Sequence, residues 1–251
     1  MGDLPIERGL ADRLVRAVGG LAGNVPVDLT QLASALGVSE ILRTSMVEDG
    51  RTTWERGKPR IELRADRSRQ RSRFTLAHEL GHILLARDET VAHRTHQLEG
   101  DDVEKVCDWI AASILMPRDW IETYARRDRY NLSLLRLVAH KADVSLAAAA
   151  VRIAEVSGRT CILLRWQRGP TRWLVVGQAA VPKEYSGGLQ ATPDTSARFD
   201  GMPNRRDTWH EIRLTAGDDR ALSATAHVDR AGSTCMTLLT SLSRCEDSEE
   251  P

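Results

Sequence analysis

Apolar and polar positions along this chain alternate between two periods, and the changes of period mark its elements. Leu10–Val18 repeats apolar residues at helical spacing and is closed by Gly19-Gly20. Asp28 stands as an N-cap before a second such run, Leu29–Leu36, which Gly37 stops. Strand-like alternation follows. Ile41–Glu48, Arg51–Glu55 and Arg60–Arg64 read as strands, joined by tight turns at Asp49-Gly50 and Arg56–Pro59, which predicts a small antiparallel sheet. Helical spacing returns around Arg73–Leu85. It appears again in Asp102–Leu115, where Val103, Val106, Cys107, Ile110, Ala111, Ile114 and Leu115 form a core-facing stripe ended by Met116-Pro117. Trp120–Arg127 and two helices capped by Ser133 and Ser145 continue to Gly158, the last two with helix-turn-helix spacing. From Arg159 the texture is β, with strand-like runs at Thr160–Trp166, Arg172–Val176, His210–Leu214, Ala221–Val228 and Thr234–Leu239. Gly187–Arg206 is polar and rich in Gly and Pro and reads as a loop. The predicted class is α+β: a domain over residues 1–158, a smaller β-rich domain over 159–245, and a disordered acidic tail over 246–251.

One turn of the Arg73–Leu85 helix carries chemistry. Its sequence, His78-Glu79-Leu80-Gly81-His82, is an instance of HExxH. Residues four apart on a helix lie one above the other, so both imidazoles can point at one metal ion, which zinc binds at about 2.0–2.1 Å. Glu79, adjacent to that face, can take a proton from an attacking water. The apolar flanks, Phe74 to Ala77 and Ile83 to Leu85, argue against a surface helix. Gly81 in a helix interior costs about 1 kcal/mol relative to Ala, which makes sense where another backbone packs close. A hydrolytic metal site needs a third protein ligand. Glu104 can supply it, and Asp108, one turn on, can accept the second ring N–H of a ligand histidine. An oxyanion donor is also required, and Tyr124, Tyr130 and His140 are the candidates.

Arg73–His82 (RFTLAHELGH) followed by Glu104–Pro117 (EKVCDWIAASILMP) resembles the ImmA/IrrE-type metallopeptidases, whose pattern is RFT-x-AHELGH and then E-x-x-A-[ND]-x-F-A-A-x-x-L-M-P. Leu135–Val156 is similar to a third segment of that family, so the resemblance spans roughly the first 158 residues. Cys107 stands where the family usually has Ala, and Ile110 where it has Phe; both read as apolar packing changes. The resemblance implies a zincin-like domain holding one zinc ion per chain. His78, His82 and Glu104 would be ligands, Glu79 the general base and Asp108 the support of a histidine. In such folds an edge strand of the sheet aligns an extended peptide substrate. The implied substrate is a helix-turn-helix repressor or antitoxin, cut to release stress, phage or mobile-element genes, and some relatives carry a C-terminal sensor domain.

Composition narrows the alternatives. The chain has 251 residues, 41% apolar and 28% charged, with formal net charge zero, so no overall field recruits nucleic acid or membrane. No apolar run approaches membrane-spanning length, and Cys107, Cys161, Cys235 and Cys245 are scattered with no CxxC, which together predict a cytoplasmic protein with free thiols. Arg51–Arg73 holds nine basic residues against three acidic ones. That stretch and the helix-turn-helix spacing motivate the alternative reading, a non-catalytic regulator that binds DNA or a repressor. His93 and His96, between the two site helices, read as belonging to an exposed linker.

Overall fold

The computed structural model describes residues 11–16, 25–87, 100–126, 130–185, 187–203, 208–218 and 220–244. Most of the linker with His93 and His96, the tail and Cys245 lie outside the described residues. By spatial contact the chain forms two compact units, Met1–Ile121 with His140–Ser145, and Glu122–Ala139 with Leu146–Pro251.

In the first unit residues 11–16 are helical. Helix α1 (Leu29–Ala35) starts as the sequence indicates, with the Asp28 carboxylate accepting from the Thr30 and Gln31 amides at 2.9 and 3.0 Å. Three strands follow: β1 (Glu40–Thr44), β2 (Gly50–Glu55) and β3 (Lys58–Arg64), in the order β1-β3-β2. The sheet is mixed rather than antiparallel, since β1 pairs with β3 in parallel and only β2–β3 is antiparallel. The reason lies in which strand owns the best apolar face. β3 buries Pro59, Ile61 and Leu63 in strict alternation and takes the centre. β1 ends at Thr44 instead of running to Glu48, and residues 45–49 carry the chain across to the other edge of β3. Asp49-Gly50 is therefore not a hairpin, whereas Arg56-Gly57, both at positive φ, is.

Two long helices complete this unit: α2 (Arg69–Arg87) and α3 (Gly100–Leu115). They pack against each other, and α2 also packs on β2 and β3. Gly81 sits at the α2–α3 contact. A Cβ there would lie 3.3 Å from the Cys107 Cα and 3.4 Å from its carbonyl oxygen. The close approach inferred from a glycine inside a helix is thus present, and it brings the faces bearing the polar residues of both helices together.

The division by contact runs through α4 (Arg118–Ala125) and α5 (Leu132–Ala142), and places α6 (Leu146–Ser157) in the second unit. This differs from the boundary at residue 158 expected from the change of texture. The reason is packing: α6 lies on β4 (Ile162–Arg168) and β5 (Trp173–Ala179). The His227 ring also accepts from the Leu132 amide at 3.3 Å. Beyond β5 come β6 (Leu189–Ala191), α7 (Pro193–Gly201), β7 (Thr208–Ala216), β8 (Ala221–Ala231) and β9 (Thr234–Arg244). The six strands form one antiparallel sheet in the order β5-β4-β9-β8-β7-β6. Within the expected loop Gly187–Arg206 the structure has a strand and a helix. Thr192 caps α7, Pro193 opens it, and Phe199 is buried edge-on between Trp166 and Trp173 at 5.4 and 5.7 Å.

Candidate metal centre and its cleft

α2 and α3 bring five sequence-predicted residues to one cleft of about 770 Å³, lined by His78, Glu79, His82, Glu104 and Asp108 together with Gly50, Thr52, Trp54, Phe74 and neighbours. His78 and His82 face each other one helical turn apart, with their Nε2 atoms separated by 3.2 Å. Glu104 reaches across from α3, with Oε2 3.0 Å from His78 Nε2 and Oε1 3.5 Å from His82 Nε2. Donors bound tetrahedrally at about 2.0–2.1 Å stand about 3.3 Å apart. The three spacings bracket that edge length, so this donor set fits a zinc-sized divalent cation.

His78 Nδ1 lies 2.9 Å from Asp108 Oδ1. A carboxylate only accepts, so Nδ1 donates its proton to Asp108, which would leave the Nε2 lone pair for a cation bound between Glu104 and His82. Burial lowers the His78 pKa, but the hydrogen bond and charge of Asp108, with the charges of Glu104 and Glu79, outweigh it and leave the net value raised.

Cys107 does more than fill space. Its Sγ lies 3.4 Å from His82 Nδ1, and it falls with His78 and His82 in one cluster of possible ligating atoms. The sulfur meets the ring nitrogen opposite the one facing Glu104. Burial, with the nearby carboxylates, pushes the thiol well above its usual range and keeps it protonated. The signal was in the sequence: residues 104, 107 and 108 are spaced i, i+3, i+4 and share a helix face.

Glu79 is 5% exposed, and its Oε2 accepts from the Thr52 hydroxyl at 2.7 Å. Gly50, on the same face of β2, makes room for it, since a Cβ there would stand 2.7 Å from Glu79 Oε1 and 2.4 Å from Thr75 Cγ2. Thr52 carried no sequence signal, and Gly50 read only as part of a turn. The edge strand on the cleft is β2, and Arg60–Arg64 lies in the interior strand β3.

The other candidate residues lie elsewhere. Tyr124 and Tyr130 belong to the second unit, where the Tyr130 hydroxyl donates to the Ala125 carbonyl oxygen. His140 is exposed in the last turn of α5 and does not line the cleft. Much of the basic stretch is neutralised internally: Arg51 pairs with Glu62 at 2.6 Å, Arg60 with Glu55 at 2.8 Å, Arg64 with Asp66 at 2.6 Å, and Arg69 with Asp143 at 2.7 Å. Asp49 accepts from both Arg67 and Arg71, and these bonds hold its carboxyl below the usual range.

A helix pair that gathers two histidines and a glutamate beside the edge strand of a small mixed sheet forms a candidate metal centre. Residues 30–154 match the M78 peptidase family model described as the IrrE N-terminal-like domain, and through this segment the chain belongs to the ImmA/IrrE-type family. Over 91 residues it is 38% identical to the radiation response metalloprotease IrrE of Deinococcus deserti and 36% identical to that of Deinococcus radiodurans. Each match covers 34% of this chain, and 32% and 28% of those relatives, so the chain spans about a third of their length. A solved Mycobacterium tuberculosis transcriptional regulator superposes over 94% of this chain and 77% of its own with a TM-score of 0.50 and 12% identity, a likeness of fold alone. Among the described residues no helix is long and apolar enough to cross a membrane.

Proposed function

We propose that this protein is a zinc-dependent endopeptidase that cuts a helix-turn-helix repressor or antitoxin and so derepresses stress, phage or mobile-element genes. The observation that carries the reading is the convergence of His78, His82 and Glu104 at 3.0–3.5 Å beside a buried Glu79. The family and the names of the Deinococcus relatives support the protease class.

His78, His82 and Glu104 would hold the zinc ion, which would supply Lewis acidity for the scissile carbonyl and the attacking water. The rest is the work of the chain's own groups. β2 is hydrogen-bonded to β3 on one side, and its other edge, at the cleft, offers backbone groups to an extended peptide. Glu79 takes one proton from the attacking water as oxygen bonds to the carbonyl carbon. It then gives that proton to the departing amine as the C–N bond breaks. Asp108 keeps the His78 lone pair aimed inward by holding its Nδ1 proton.

The test is incubation of the purified protein with a repressor encoded beside it, with and without a chelator. A single cut that needs metal is expected. Glu79→Gln keeps the metal and loses the cut, because the amide cannot accept the proton. His82→Ala loses stoichiometric zinc in elemental analysis. Unchanged cleavage by Glu79→Gln, or full zinc in His82→Ala, refutes the assignment.

A further inference from the structure

Glu79 is buried in the cleft wall, yet the hydrogen bond that holds its carboxylate comes from another element. Gly50, Thr52 and Trp54 alternate with Arg51, Thr53 and Glu55 along β2. Gly50 and Thr52 each meet the Glu79 carboxylate, one by leaving space beside Oε1 and the other by donating to Oε2 at 2.7 Å. The direction of that bond is fixed, because an ionised carboxylate only accepts and the threonine hydroxyl has one proton to give. Among the described residues no hydrogen bond reaches Oε1.

We propose that Thr52 is a positioning residue for Glu79. Its hydroxyl holds Oε2, selects one rotamer of a side chain with three free torsions, and leaves Oε1 as the oxygen presented to the cleft. Thr52 sits on the strand whose open edge takes the peptide, so one strand sets both the height of the substrate and the reach of the base. Glu79 moving independently of β2 would lose that common reference, and displacement by an ångström is enough to slow a proton transfer. The inference rests on reading the cleft as a metallopeptidase site.

The test uses acetohydroxamic acid, a small chelating probe whose hydroxyl needs an acceptor beside the metal, titrated calorimetrically into zinc-loaded full-length protein. Thr52→Val, nearly isosteric but without the hydroxyl, is expected to weaken binding about tenfold, the scale of one hydrogen bond to a charged group. Thr52→Ser restores binding to within about twofold of the parent on the same scale. Zinc content and melting temperature of both variants stay at the parent's values. On a cleaved repressor, Thr52→Val lowers kcat while KM holds. Parent-like hydroxamate binding by Thr52→Val, with binding by Glu79→Gln weakened, overturns the role of Thr52 alone. Parent-like binding by Glu79→Gln overturns the peptidase reading beneath it.

Discussion

At the scale of single residues, Asp108 and His78 show how one hydrogen bond sets both a tautomer and a titration. Because the His78 pKa is raised in the fold, its pairing stabilises the fold below the unfolded-state pKa of about 6.5 and the contribution is lost as pH rises through the raised value. Zinc at Nε2 would compete with the second ring proton, the one that makes the imidazole a cation. Zinc affinity is therefore expected to climb with pH through that window and level off above it, as metal-competition titrations at stepped pH can measure. An affinity that does not vary between about pH 5.5 and about pH 8 contradicts the arrangement. Asp108→Ala removes the acceptor without removing a donor, and a loss of about 10- to 100-fold in zinc affinity is expected. Affinity equal to the parent's would make Asp108 a surface acid with no part in the site.

At the scale of elements, the packing of α2 decides what the basic stretch does. Arg69 and Arg73 reach Asp143, the turn residue between α5 and α6, which sits at φ 52°. Burial lowers the Arg73 pKa while Asp143 opposes that shift, and Arg73 also donates to the Val27 carbonyl oxygen. Asp143→Asn keeps a residue that tolerates this backbone and removes only the charge. It is expected to destabilise the fold by about 1–3 kcal/mol, measured by denaturant melts, since a part-buried guanidinium is left without its counter-charge. No change in midpoint would show the pair to be screened. The same accounting weakens the DNA-binding alternative. The arginines named above are engaged internally, Arg152 on α6 is buried against Glu155, and the exposed positions of that helix include Ala147 and Val151. Those side chains carry no hydrogen-bonding groups for base edges.

At the scale of the whole molecule, the change from helical to β texture at Gly158 and the division by packing disagree, and they predict different fragments. A chain ending at Gly158 keeps α6 but removes β4 and β5, the strands it packs on. Such a fragment is expected to be poorly soluble or to melt well below the full chain, even though all three proposed zinc donors lie before Pro117. A soluble fragment with one zinc and an unchanged melting temperature would restore the boundary at 158.

Read from the sequence alone, the helices bearing His78, His82, Glu104 and Asp108 and the runs of strand were legible, because periodicity and i, i+4 spacing are local properties that tertiary packing rarely overturns. Cys107 was legible in spacing but not in role, since a buried sulfur is used for packing or for bonding depending on what faces it. The parallel β1–β3 pairing, Thr52, Gly50 and α7 came only with the tertiary structure. Strand order depends on which apolar face wins the centre. A threonine and a glycine on a strand gain meaning only from a carboxylate 27 and 29 residues away in sequence. α7 is held by one buried phenylalanine between two tryptophans, a contact between distant segments that no window of its own polar sequence contains.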